Sequence, residues 1–66
     1  MEQLLIKVEG GRRRAYPVGA PARVRTHLGD GKLVYGTDDG WLAIQLDGET
    51  RVDEYPAERV IRLEVA

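Results

Sequence analysis

The chain has 66 residues and a formal net charge of −1; it is 42% hydrophobic and 32% charged, with 8 Gly, 3 Pro and no Cys. That length suits one small domain and excludes a doubly wound nucleotide-binding sheet or a two-domain enzyme. Without Cys there is no disulfide, thiolate metal site or thiol catalysis, and a lone His27 leaves no His-rich metal cage.

Turn residues recur at short intervals. Residues 2–8 and 12–16 flank Glu9-Gly10-Gly11 and are expected to pair as an N-terminal hairpin. Pro17-Val18-Gly19-Ala20-Pro21 reads as a longer break. Residues 20–28 then alternate, with Ala22, Val24, Thr26 and Leu28 on one face and Arg23, Arg25 and His27 on the other. Gly29-Asp30-Gly31 reads as the next turn, leading to a strand over 32–37 and a further turn at Asp38-Asp39-Gly40. Residues 41–47 place Leu42, Ile44 and Leu46 inward, and Trp41, Ala43 and Gln45 outward. After Asp47-Gly48 comes a less amphipathic strand over 49–55. Pro56-Ala57-Glu58-Arg59 has the start signal of a single 3₁₀ turn. The last strand covers 60–65, with Ile61, Leu63 and Val65 on the face opposite Arg62 and Glu64.

A period of two throughout, broken by Asp-Gly and Gly-Gly turns, makes the chain all-β. Short strands in so small a chain gain from closure, because open edges invite pairing with other chains. The expected architecture is a single domain over residues 1–66. Five strongly bent antiparallel strands form a small barrel over 18–65, and residues 1–17 form a hairpin that covers one end or meets a partner.

The run Val18-Gly19-Ala20-Pro21-Ala22-Arg23-Val24-Arg25, then Leu33-Val34-Tyr35-Gly36-Thr37, Leu42-Ala43-Ile44-Gln45-Leu46-Asp47-Gly48 and a closing segment from Pro56 to Leu63 resembles SH3-like barrels of the KOW and Tudor type. That resemblance implies a binding module for RNA, ribosomes, polymerase or peptides. Residues 51–62, from Arg51-Val52-Asp53-Glu54-Tyr55-Pro56 through Arg59 and Ile61, are similar to the end of the type II dihydrofolate reductases. Those are SH3-like tetramers with a Val-Gln-Ile-Tyr pore segment. The matching positions here read Val52, Asp53, Glu54 and Tyr55, so the likeness implies architecture without folate or NADPH binding, and a reductase-like tetramer ranks third among the functional readings.

Charge is unevenly spread. Residues 1–32 carry seven basic and three acidic groups, net +4, whereas residues 33–66 carry three basic and eight acidic groups, net −5. Such asymmetry is able to build a basic face for phosphates. The candidate contact residues are Arg12, Arg13, Arg14, Arg23 and Arg25, with Tyr35 and Trp41, and also Tyr16, as stacking surfaces. The competing reading is that these arginines pair with carboxylates of the other half, within or between subunits. The acidic pI of about 5.7 favours that competitor.

Asp38-Asp39 is a turn signal in its own right, and Asp53 and Glu54 face opposite sides of a strand, so neither pair makes an acid–base or metal site. No Ser is present as a nucleophile. The expectation is a non-enzymatic, cytoplasmic module without cofactors or membrane contact. Nucleic acid is its leading partner, and a protein partner or a homo-oligomer is the alternative.

Overall fold

The computed structural model describes residues 3–19 and 22–63. Its elements are β1 (Gln3–Glu9), β2 (Arg12–Val18), β3 (Arg23–Thr26), β4 (Gly29–Thr37), β5 (Trp41–Leu46), β6 (Val52–Pro56), a 3₁₀ turn over Ala57–Arg59, and β7 (Ile61–Leu63). The chain is all-β, as the alternation requires, and every strand pairing among the described residues is antiparallel.

The hairpin of β1 and β2 closes through Gly10 and Gly11, whose φ angles are 58° and 76°. A two-residue turn with both φ positive matches the twist of the strands it joins, and Gly adopts it without a Cβ clash. The ladder runs unbroken from Gln3 opposite Val18 to Glu9 opposite Arg12. β2 therefore extends through Pro17 and Val18, where a break was expected. Pro17 is tolerated because its only strand neighbour is Leu4, leaving the other edge with no N–H to supply.

β4 organises the rest. One edge pairs with β3 over residues 29–32 and with β2 at Gly36 and Thr37; the other edge pairs with β5 over residues 31–36. A register shift between Leu33 and Tyr35 bends it. Leu33 stands opposite Ile44, but Tyr35 stands opposite Ala43, so two residues that simple alternation places together lie on opposite faces. The tight turn before β4 falls at His27-Leu28, and Gly29-Asp30-Gly31 lies inside the strand. Buried Thr26 makes that turn: its hydroxyl accepts from the Leu28 N–H at 3.1 Å and donates to the Gly29 carbonyl at 3.0 Å. Leu28, expected inward, is 65% exposed at the turn tip.

The core is small. Val24, Ile44 and Tyr55 are buried together, with Leu33, Leu42, Leu46 and Val60 packed against them. Leu42, Ile44 and Leu46 face inward as their spacing requires. Ala43, expected outward and accessible, is fully buried on the outer face. The strand expected over 49–55 begins at Val52, and the one expected over 60–65 is described over Ile61–Leu63, its remainder lying outside the described residues.

Among the described residues the ladder does not close into a barrel: β6 pairs only with β5 and β7 only with β3, while β1 has β2 as its sole neighbour. Pro56 ends β6 without an N–H, and the 3₁₀ turn, held by the Val60 N–H on the Ala57 carbonyl at 3.2 Å, carries the chain across the gap between β6 and β7. Expected closure is thus replaced by a bent open sheet.

Candidate interaction surface

Antiparallel register fixes which side chains share a face. Arg12, Arg14 and Tyr16 on β2 lie on the same face as Thr37 and Tyr35 on β4, Trp41 and Ala43 on β5, and Glu54 on β6. Tyr35 and Glu54 flank Ala43 in one row across three strands. The Tyr35 hydroxyl donates to Glu54 Oε2 at 2.7 Å, crossing above Ala43 and burying it. Arg12 Nη1 donates to both Glu54 oxygens at 3.2 and 3.1 Å, and its Nη2 reaches Asp39 Oδ1 and Thr37 Oγ1 at 3.4 Å. Thr37 in turn donates to Asp39 and accepts from the Trp41 N–H at 3.1 Å.

Arg14 extends this layer. Its guanidinium carbon lies 4.6 Å from the Tyr35 ring centroid and its Nη1 donates to Glu9 Oε2 at 2.9 Å. Tyr16 packs on Tyr35 with centroids 5.4 Å apart, and Lys7 Nζ sits 5.4 Å from the Tyr16 centroid. The structure therefore brings Arg12, Arg14, Tyr16 and Tyr35 together. Exposed Trp41 stands at the edge of this group.

The other candidates are elsewhere. Arg13 is exposed on the opposite face of β2 and has no ion pair among the described residues. Arg23 and Arg25 lie on β3, against the far half of β4. Arg23 Nη1 donates to Asp47 Oδ1 at 2.8 Å, with Nη2 on the second oxygen; Arg25 Nε and Nη2 donate to the two Asp30 oxygens at 2.8 and 3.3 Å. The seven residues thus do not form one basic patch. Four of the five arginines are already matched to carboxylates within the chain, two of them across its basic and acidic halves.

Glu54, the centre of the network, enters the sequence reading only with Asp53 as an acid–base or metal pair that is set aside. It reaches Tyr35 only because the register shift in β4 turns that ring outward, and nothing in the local residue pattern marks that shift. No group of three metal-ligating side chains occurs among the described residues.

These contacts set the acid response. The Tyr35 hydroxyl, followed by Arg12, holds the Glu54 carboxyl below its ordinary range. The same bond, with partial burial, pushes Tyr35 above the usual tyrosine value. Asp39 is lowered by Thr37 and then Arg12, Asp47 by Arg23, and Asp30 by Arg25. A carboxyl more acidic in the folded than in the unfolded chain stabilises the fold above its unfolded pKa, and that contribution disappears as pH falls through the folded value. Thermal unfolding followed by circular dichroism is expected to be level from neutrality to about pH 5 and to shift downward below about pH 4. A midpoint that does not move down to about pH 2.5 would contradict the pairings.

No protein-family model, curated protein or solved structure matches this chain.

Proposed function

We propose that the chain is a small non-enzymatic interaction module that contacts protein by adding a strand to its N-terminal hairpin. The observation that carries this reading is a contrast in availability. Among the described residues β1 has one free edge and exposes Leu4 (60%), Leu5 (50%), Ile6 (49%) and Val8 (69%), while four of the five arginines suited to phosphate are occupied by carboxylates. An unpaired strand edge supplies main-chain donors and acceptors, and exposed apolar side chains supply the contact area. Phosphate would have to displace these carboxylates, bidentate at Arg23 and Arg25, before meeting the same guanidinium groups.

An SH3-like layout belongs to this proposal. The order from β3 through β4, β5 and β6, then a 3₁₀ turn and β7 returning to β3, supports it. The reductase reading has less support: Glu54 is committed to Arg12 and Tyr35, and Tyr55 is in the core.

Two measurements test the proposal. Short labelled RNA and DNA are expected to show no binding in low salt. Binding that weakens steeply as salt rises would overturn the reading in favour of nucleic acid. A seven-residue peptide alternating Val and Thr, added in large excess to dilute protein, is expected to slow amide exchange in residues 3–9. Unchanged exchange there would remove strand addition at β1.

A further inference from the structure

The geometry points to a second copy of this chain as the occupant of the β1 edge, joined antiparallel about a two-fold axis through Ile6. This rests on the reading of β1 as an interaction edge and names its partner. An isologous contact needs a surface that complements itself. β1 meets that condition residue by residue. With Ile6 opposite its own copy, Leu4 falls opposite Val8, Leu5 opposite Lys7, and position 3 opposite position 9. All seven residues of the strand find a partner, and no like charges stand directly opposite one another.

Natural edge strands usually carry Pro, a bulge or a projecting charge that discourages pairing. β1 contains no Pro, and its ladder with β2 has no irregularity. Its two charged side chains are already engaged at home: Lys7 lies over the Tyr16 ring, and Glu9 accepts from Arg14. In the self-paired register Lys7 falls opposite Leu5 and Glu9 opposite position 3, so neither meets a like charge directly. Leu4-Leu5-Ile6 also places apolar residues on both faces in succession, a pattern suited to an inner strand.

Size agrees with this occupant. Joining two β1 strands makes a continuous four-stranded β2-β1-β1-β2 sheet and gathers Leu4, Ile6 and Val8 of both copies into one stripe on one face. The four exposed side chains present on the order of 400 Å² per copy. Strand side chains stand roughly perpendicular to the sheet and keep their tips in solvent, so the join covers only part of this area and, with the adjoining backbone, buries at most roughly 1,000 Å² in total, at or below the lower limit for specific association. The dimer is accordingly one that forms and parts with concentration.

Sedimentation of the full chain across a wide concentration series tests the inference. The expected result is a mass that rises from one copy to two. Ile6→Lys places two like charges on the axis and is expected to weaken association about 100-fold or more. Because Ile6 is half exposed and outside the core, this variant should keep the wild-type β spectrum. A second variant does not depend on that. The chain has no Cys, so Ile6→Cys introduces a single thiol that meets its own copy at the axis. Mild oxidation is expected to trap it as a covalent dimer, while Glu58→Cys, outside the hairpin, stays uncrosslinked.

A single-copy mass at every concentration would overturn self-pairing. So would a dimer indifferent to Ile6→Lys, or crosslinking no faster at position 6 than at 58. If the protein is monomeric but the Val/Thr peptide still protects residues 3–9, the edge belongs to a different protein and only this inference falls. If nucleic acid binds instead, the proposed function falls with it.

Discussion

Gly31→Ala is expected to lower the thermal midpoint by roughly 10–20 °C, the loss of about 2–3 kcal/mol in a domain of this size. Gly31 is buried where three strands meet, opposite Val24 on β3 and Leu46 on β5. Its backbone does not have positive φ, so conformational strain is not the reason Gly is required. Space is. An added Cβ would lie 2.9 Å from Leu46 Cα and 3.0 Å from the Gln45 carbonyl carbon. These are backbone atoms of a paired strand, which have no rotamer to escape into. Relief requires β4 and β5 to part beside Ile44, the largest fully buried side chain. Total stability for a chain this short is on the order of 3–10 kcal/mol, so such a loss removes a large share of it. Gly36→Ala is the informative comparison. Its Cβ would meet Leu42 Cδ2 at 3.2 Å, a side-chain tip able to shift, and the expected cost is below about 1 kcal/mol. Equal midpoints for the two variants in urea or heat would mean the strands are not closely apposed at Gly31.

The same comparison shows what was legible in the residues. Period-two alternation and the Gly-Gly and Asp-Gly turns located the hairpin and β5, and Pro56 with an early acidic residue located the 3₁₀ turn, because each depends on neighbours within a few positions. Gly29-Asp30-Gly31 misled because Gly has two uses. A turn needs its conformational freedom, whereas Gly31 supplies the absence of a side chain at a strand junction that local sequence does not reveal. Ala43 misled for a related reason. Uninterrupted alternation left it open on the outer face, and the register shift after Leu33 turns Tyr35 onto that face, where its bond to Glu54 roofs Ala43. The arginines were the right residues to question. Their types marked a charged surface, but whether that surface is free or internally matched depends on pairs such as Arg12 with Glu54, 42 positions apart. No pattern read along the chain contains that distance.

Glu54→Ala is expected to cost about 2–3 kcal/mol, leaving the Tyr35 hydroxyl without its carboxylate and Arg12 with only its longer contacts to Asp39 and Thr37. The exposed pair Arg51 with Asp53 sets the contrast, since its removal should cost below about 1 kcal/mol. A double-mutant cycle isolates the central bond. Tyr35→Phe and Glu54→Gln, measured singly and together by urea unfolding, are expected to show a coupling of about 1 kcal/mol or more. Additivity within about 0.3 kcal/mol would mean that the bridge over Ala43 does not form in solution. The consequence extends beyond stability. β2 joins the rest of the sheet through only two register pairs, Arg14 with Thr37 and Ala15 with Gly36. Arg12 to Glu54, Asp39 and Thr37, and Arg14 and Tyr16 on Tyr35, are therefore side-chain ties that fix the hairpin to the body. Glu54→Ala is expected to speed amide exchange throughout residues 3–18 more than in residues 42–46. Loss of protection confined to the core, with the hairpin unaffected, would show that β1 is held in place by its own ladder alone.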